Sequence, residues 1–161
     1  CLLELVKRTP DIQYVVAGKA DDSVKETIDA LKKLPNVKLD EGVIPYSKMH
    51  DYFYNALCTV LPYETATQSG VVLDAYKHSR PAVAFDVGAL GEQIDDGITG
   101  YLAKPGDVRQ LEIQLRKIID MQREQYEQMC KQSYQKGLDA YSAKSREIEF
   151  LNAIGVEEKH K

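Results

Sequence analysis

The sequence predicts an α/β domain with a parallel sheet and helices on both faces, followed by a C-terminal helical extension. Short apolar runs alternate with longer segments whose apolar residues recur at helical spacing, and this alternation is typical of repeated β-α-β units. Turn-forming residues such as Gly18 and Pro62 follow several of the apolar runs. Strands that alternate with helices in this way are expected to be parallel, because each crossover helix returns the chain to the same end of the sheet.

The first predicted elements are a helix at 1–8, ended by Thr9-Pro10, and a buried parallel strand at 12–17, closed by Gly18. A helix then runs from its N-cap Asp22 to about residue 33, since apolar residues recur there at helical spacing. The remaining elements are strands at 37–39, 59–61, 82–85 and 100–103, helices at 46–55 and 69–78, and a helix from its cap Asp107 to about residue 121.

The residues after 121 are rich in Gln, Glu, Lys and Tyr at helical spacing. We expect one long helix to about residue 140, a second helix at 142–154, and a frayed charged end. We therefore divide the chain into a domain at 1–121 and C-terminal helices at 122–161 that pack back on it. Met129 and the tyrosines Tyr126, Tyr134 and Tyr141 are interpreted as a packing stripe rather than a cofactor site.

Composition limits the possible functions. The 161 residues carry a net charge of −4 without a basic face, so nucleic acid is not an expected partner. No apolar run approaches the length of a membrane span. An odd number of widely spaced cysteines indicates a reducing, cytoplasmic compartment. Neither the cysteines nor His50, His78 and His160 have metal-ligand spacing, so we expect no metal and no cofactor.

The segment 61–107 carries the strongest functional signal. A short strand leads into a loop of small polar residues, a helix opens at Ser69-Gly70, and a second strand follows at Pro81. In such a unit the helix N-terminus faces the carboxyl edge of the sheet, where α/β folds bind ligands. Thr67, Gln68, Ser69 and Gly70 would offer backbone amides and hydroxyls to an anion such as phosphate. The alternative is an ordinary Ser/Thr cap that satisfies its own backbone.

Motifs in register through this segment resemble the donor-binding half of a retaining glycosyltransferase with the GT-B architecture, of the family 4 type. The resemblance extends from about residue 13 to residue 120, and many matches in register are far more specific than any one alone. The matching motifs are Pro62-Tyr63, Asp74-Ala75, Pro81-Ala82-Val83-Ala84, Gly88-Ala89-Leu90-Gly91-Glu92, Asp96-Gly97-Ile98-Thr99-Gly100 and Pro105-Gly106-Asp107.

The resemblance implies a Rossmann-like domain and a role in polysaccharide biosynthesis. Such enzymes move a sugar from a UDP- or GDP-linked donor to a saccharide or lipid-linked acceptor, with retention and without a metal. Positive charge and helix-terminal amides stabilise the departing diphosphate. For Lys19 a solvated side chain is an equal alternative, and Asp74 could simply lie on an exposed helix face. The implied donor-binding residues are Gly18, Lys19, Ile44, Thr67, Gln68, Ser69, Gly70, Val71 and Asp74.

The departures from the family pattern bear on catalysis. Ala66 occupies the position of the first of two family glutamates, and Asp74 replaces the second. Glu64 is the only substitute candidate for a catalytic carboxylate, and no other catalytic residue is assigned. A non-catalytic or degenerate nucleotide-sugar binder is therefore the alternative function. A nucleotide-dependent oxidoreductase is excluded, because no GxGxxG follows a first strand.

Family members carry a strand with a basic loop before the first helix, and an acceptor-binding domain before that. We therefore expect this chain to be a C-terminal portion that lacks its first strand and is inactive alone. The full protein would bind its acceptor through the other domain. We expect it in the cytoplasm or at the inner face of the membrane.

Overall fold

A computed structural model describes residues 1–67 and 69–142, with only the backbone described for Tyr141. The helices in those ranges are α1 Leu2–Arg8, α2 Lys25–Leu31, α3 Tyr46–Tyr54, α4 Gly70–Lys77, α5 Leu90–Gln93, α6 Val108–Ile119 and α7 Arg123–Tyr141. The strands are β1 Tyr14–Gly18, β2 Val37–Glu41, β3 Thr59–Leu61, β4 Ala82–Phe85 and β5 Gly100–Ala103. The α/β class is confirmed, and β3, β4 and β5 have the predicted bounds.

The described strands form two hydrogen-bonded groups, both parallel. One group is β3-β4-β5 with β4 in the centre, and the other is the pair β1-β2. In the central group Thr59 pairs with Ala82, and Ala82 pairs with Gly100. Strands β4 and β5 approach so closely at Gly100 that an added Cβ would lie 1.9 Å from the Ala82 carbonyl oxygen.

The side chains of β4 alternate between the two faces of the sheet, and each face has its own apolar core. Val83 and Phe85 lie in a cluster with residues of α1 and α6, including Leu5 and Leu111. Ala82 and Ala84 lie in a second cluster with residues of α4 and α5. All four β4 residues are fully buried. This arrangement confirms the prediction of helices on both faces.

The predicted burial of the first strand is wrong. Val15 is 55% exposed, and burial alternates along β1. Val15 and Ala17, which point to one face of β1, are exposed, whereas Tyr14 and Val16 on the other face are not. Within the described residues β1 has a strand partner on one edge only, β2. The predicted N-cap Asp22 is also wrong. Asp21 caps a short 3-10 turn by accepting a hydrogen bond from the Ser23 amide at 2.9 Å, and α2 begins only at Lys25.

The long helix α7 packs against α4. Gly137 lies so close to Tyr76 that an added Cβ would be 2.9 Å from the tyrosine Cβ. Met129 is buried and Tyr126 is partly buried, as predicted, but Tyr134 is exposed because it lies to one side of the contact face. The side chain of Tyr141 lies outside the described part of the structure. The same holds for the predicted helix at 142–154, apart from Ser142. None of the described helices is long and apolar enough to cross a membrane.

The carboxyl ends of β1 and β3 lie at the same edge of the fold. The Cys1 thiol, at the start of α1, lies 3.7 Å from Glu64 Oε1 in the loop after β3. From there α1 runs to Thr9, whose hydroxyl is hydrogen-bonded to the Tyr14 hydroxyl at 2.7 Å. Since β1 begins where α1 ends, β1 runs back toward the edge at which α1 began.

Candidate donor-binding site

An open cleft of about 390 Å³ lies at the carboxyl end of β3, lined by Tyr63, Thr65, Ala66 and Thr67. Leu61, the last residue of β3, is buried, and the chain leaves it as an exposed loop that leads into α4. The cleft is therefore placed at the sheet edge where the sequence predicted a ligand site.

α4 begins at Gly70, three residues after Thr67, which lines this cleft. Ser69 is the N-cap with an extended backbone at φ −123° and ψ 110°, and its side chain makes no capping hydrogen bond. The first amides of a helix have no partner within the helix. Gly70 is exposed, and an added Cβ there would meet no atom within 4 Å, so the space beside the first residue of the helix is open.

The Ser69 hydroxyl is the most unusual polar group at the site. Ser69 is 4% exposed, and its Oγ has no hydrogen-bond partner among the described residues. Leaving a buried hydroxyl without a partner costs about 1–3 kcal/mol. This hydroxyl has an unused hydrogen to donate to an anion at the helix N-terminus.

The loop before α4 contacts the segment that follows β4. Gly88 has a φ of 51°, and an added Cβ there would lie 1.6 Å from the Ala66 carbonyl oxygen. Gln93, the last residue of α5, binds the Ser69 backbone twice. Its Oε1 accepts from the Ser69 amide at 3.0 Å, and its Nε2 donates to the Ser69 carbonyl at 3.2 Å.

A buried hydrogen-bond network supports that segment in turn. The Tyr76 hydroxyl lies 2.7 Å from Thr99 Oγ1 and donates to the Gln93 carbonyl at 3.2 Å. Thr99 Oγ1 also accepts from the Asp95 amide at 3.0 Å. Burial raises the pKa of Tyr76 well above its usual range, so this hydroxyl keeps its proton and remains a donor.

Asp74 lies on the accessible side of α4, four residues after Gly70 and thus on the same helix face. Its carboxylate is 3.5 Å from the Lys77 ammonium, and its side chain is 22% exposed. The backbone carbonyl of Asp74 is 2.7 Å from His78 Nδ1. Val71, in the first turn, is half-buried. Gln68 lies outside the described residues.

The other predicted donor residues form a separate group at the same edge. Gly18 ends β1 with a φ of 144° and no atom within 4 Å of an added Cβ, and its carbonyl accepts from the Gly42 amide at 3.0 Å. Lys19 is exposed and Ile44 is half-buried. Within the described ranges, no hydrogen bond or ion pair joins this group to the residues around α4.

The two residues that bear on catalysis differ in environment. Glu64 is exposed beside Cys1, whereas Ala66 packs against the second core cluster. No group of three or more His, Cys, Asp or Glu side chains in the described ranges is arranged to hold a metal ion. The expectation of a metal-free reaction stays a prediction.

The sequence comparisons identify the family. The sequence model for "Glycosyl transferases group 1" matches residues 2–121. The chain belongs to this glycosyltransferase family. A curated relative, the alpha-D-kanosaminyltransferase of Streptomyces kanamyceticus, is 26% identical over 121 residues, which cover 73% of this chain and 31% of the relative.

Solved glycosyltransferase structures have the same fold as this group 1 chain. Sucrose-phosphate synthase from Thermosynechococcus elongatus superposes with a TM-score of 0.78 at 18% identity, covering 95% of this chain and 41% of that one. Anabaena HepE in complex with UDP-glucose superposes with a TM-score of 0.77 at 18% identity, covering 94% of this chain and 44% of HepE. A TarM variant from S. aureus, in complex with UDP among other ligands, superposes with a TM-score of 0.74 at 20% identity, covering 96% of this chain and 32% of TarM. The chain thus spans less than half of each.

Sequence reasoning missed the residues that support the glycosyltransferase loop. Gln93, Tyr76 and Thr99 were not singled out for a functional role, and the helix α5 was not predicted. A polar Gln93 between the apolar Leu90 and Ile94 was the available signal, but its partner Ser69 is 24 residues away in the sequence.

Proposed function

We propose that this chain is the donor-binding part of a glycosyltransferase that moves a sugar from a UDP- or GDP-linked donor to a saccharide or lipid-linked acceptor, with retention. The observation that carries the proposal is the unpartnered, buried Ser69 hydroxyl at the open N-terminus of α4. It lies at the carboxyl edge of a parallel sheet, where α/β folds bind nucleotides.

The diphosphate would bind at the start of α4. The free amides of the first helical turn and the positive end of the helix dipole both favour a phosphate group. The Ser69 hydroxyl and the exposed Thr67 would add neutral donors. These groups stabilise the negative charge that develops on the leaving diphosphate as the glycosidic bond breaks.

The ribose would bind at Asp74, one helical turn farther along the same face as Gly70. A carboxylate can accept hydrogen bonds from both hydroxyls of a ribose. In the free protein this carboxylate lies 3.5 Å from the Lys77 ammonium.

The nucleobase would lie toward Gly18 and Ile44. The space in front of Gly18 is open, and the exposed Lys19 can approach a phosphate without leaving solvent. Two of the structural neighbours were solved with UDP or a UDP-sugar, which supports a uridine donor as the first to test.

The second candidate function is a nucleotide-sugar binder that has lost its chemistry. Ala66 favours it, because this side chain packs against the apolar cluster instead of presenting a carboxylate. Glu64 is the remaining candidate carboxylate. A full-length protein that binds the donor but transfers no sugar would support this second candidate. Asp74→Ala in the full-length protein would then weaken nucleotide binding alone, whereas in an active enzyme it would abolish transfer.

The 161-residue chain alone is proposed to be inactive. It spans 31% of the kanosaminyltransferase that it matches, and an acceptor would bind through another part of a longer protein. That protein is proposed to work in the cytoplasm, at the inner face of a membrane where the acceptor is lipid-linked. Sugar transfer by the 161-residue chain alone would contradict the proposal.

The deciding experiment is an NMR titration of the chain with UDP, GDP and ADP. We expect one nucleotide to shift the amides of Ser69, Gly70, Asp74 and Ile44, while amides in α6 stay unchanged. Shifts with all three nucleotides, restricted to Ser69 and Gly70, would indicate a phosphate-binding site that does not recognise the nucleobase. No shift at about millimolar ligand, a concentration at which even weak sites are occupied, would argue against nucleotide binding by this chain.

A further inference from the structure

We propose that Gln93 is a positioning residue that holds the loop before α4 in the conformation that binds the donor diphosphate. The inference deepens the proposed function, on which its binding step rests. Gln93 itself need not touch the nucleotide. It acts through the Ser69 backbone, which it contacts with both polar atoms of its side chain.

The hydrogen-bond geometry allows only one orientation of the Gln93 amide. The Ser69 amide donates to Oε1 at 3.0 Å, and the Ser69 carbonyl accepts from Nε2 at 3.2 Å. A flipped amide would place its NH₂ group against the Ser69 N–H and its oxygen against the Ser69 carbonyl. Because the side chain satisfies both backbone groups at once, it fixes the position and the direction of the peptide unit at the cap of α4.

The backbone that carries Gln93 is itself held from two other helices. Its carbonyl accepts from the Tyr76 hydroxyl of α4 at 3.2 Å. The Lys136 ammonium of α7 donates to the Glu92 carbonyl at 3.1 Å and is paired with Asp95 Oδ1 at 2.6 Å. Gln93 is therefore joined to α4 at two points, through its backbone to Tyr76 near the C-terminal end of the helix and through its side chain to Ser69 at the N-cap.

This attachment matters because the loop has few other constraints. Residues 63–65 and 67 are exposed, and the other described contacts of this loop are those of Ala66 with Gly88 and the second core cluster and of Glu64 with the Cys1 thiol. The Ser69 hydroxyl makes no capping bond, so the cap is held by Gln93 and not by its own side chain. Releasing Gln93 would leave the first-turn amides and the Ser69 hydroxyl free to leave the positions that suit a phosphate.

The test compares Gln93→Ala with Gln110→Ala. Gln110 is a matched control, since it is also half-buried and its Oε1 accepts from a loop amide, that of Lys104, at 2.5 Å. Amide hydrogen exchange of the free proteins decides the inference. We expect at least about tenfold faster exchange at Ser69 in Gln93→Ala than in the wild type, the effect of losing about 1.4 kcal/mol of protection, and no change there in Gln110→Ala. Unchanged exchange at Ser69 in Gln93→Ala would overturn the proposal.

A second variant separates positioning from mere stability. In Gln93→Glu the carboxylate still accepts from the Ser69 amide but cannot donate to its carbonyl, and it adds a negative charge near the diphosphate. Because its second oxygen then faces the Ser69 carbonyl, we expect Ser69 to exchange at a rate between those of the wild type and of Gln93→Ala, and the Kd for UDP to rise about tenfold or more and to depend on salt. Ser69 exchange as fast as in Gln93→Ala would contradict a positioning role for the accepted bond.

UDP titration of the same variants distinguishes the proposed donor site from the proposed positioning role of Gln93. If the wild type binds UDP, Gln93→Ala should raise the Kd about tenfold, and Gln110→Ala should leave it unchanged. An unchanged Kd in Gln93→Ala would overturn the role in binding. If the wild type does not bind UDP but Ser69 exchange still responds to Gln93→Ala, the donor-site proposal fails while the control of the loop by Gln93 stands.

Discussion

Two buried serines show how differently the same side chain can be used. Ser133 Oγ, in α7, is within hydrogen-bond distance of the Thr99 carbonyl at 3.1 Å and the Met129 carbonyl at 2.9 Å. Ser69 Oγ is nearly as buried but has no partner among the described residues. A buried polar group that is left unsatisfied reduces stability, and such groups concentrate at functional sites.

This contrast predicts opposite effects for two alanine substitutions. Ser69→Ala should leave the free energy of unfolding unchanged or raise it by up to about 1 kcal/mol, because it removes an unpaired hydroxyl and no cap bond. The same change should raise the Kd for UDP about 5- to 20-fold. Ser133→Ala should instead lower stability by about 1 kcal/mol and leave the Kd unchanged. Urea unfolding and calorimetric titration measure both quantities, and a large loss of stability in Ser69→Ala would refute this interpretation.

At this scale the sequence indicated only part of the site. Ser69 and Gly70 were predictable as the start of α4, because a strand, a small-residue loop and a helix in this order place the helix N-terminus at the carboxyl edge of the sheet. Gln93 was not predictable, because its role depends on a contact between residues that are distant in the sequence. Nor could the sequence alone show that Ala66 packs toward a core.

At the scale of elements, prediction succeeded where a strand is covered on both faces. The β4 run is buried at every residue, so a continuous apolar pattern and the structure agree. β1 has a similar pattern but alternating burial, with Val15 55% exposed. Periodicity reports what a strand is able to bury. It does not report which of its edges and faces are covered.

The edge of β1 gives a testable pattern of amide exchange. The Tyr14 amide donates to the Asn36 carbonyl, and the Gly18 carbonyl accepts from Gly42, so residues 14, 16 and 18 face β2. Since neighbouring residues of a strand point their amides to opposite edges, the amides of Val15 and Ala17 face away from β2. We expect Val16 to be protected from hydrogen exchange and Val15 and Ala17 to exchange at least about tenfold faster. Equal protection of all three amides would mean that the outer edge of β1 is covered.

At the scale of the whole molecule, several buried groups resist ionisation. Burial raises the pKa of the Cys58 thiol to about 12 and raises the pKa of Tyr76 and of Tyr14. In each case the unfolded chain, with values near 9.0 for cysteine and 10.0 for tyrosine, loses its proton first as the pH rises. The stabilising effect is therefore complete below those unfolded values and is lost as the pH rises above them.

We therefore predict alkaline destabilisation. The free energy of unfolding in urea should fall by about 2–3 kcal/mol between about pH 8 and about pH 10.5. Cys58 retains some contact with solvent, so its own share should be about half of that fall. Cys58→Ala should flatten the pH profile by this share, whatever its effect at neutral pH. A stability that stays level up to about pH 10.5 would show that these groups ionise as easily in the folded protein as in the unfolded chain.

The alternation of side chains along β4 has one more consequence. Toward α1 and α6 the strand presents Val83 and Phe85, but toward α4 it presents only Ala82 and Ala84. Beneath α4 this strand therefore contributes only single methyl groups to the contact between sheet and helix, beside the larger Leu61 of β3 and Leu102 of β5. We expect a larger residue at either position to push α4 away from the sheet, and with it the cap, the first turn and Asp74. The depth at which the proposed donor would bind then depends on residues on the opposite side of the helix, which it would never touch.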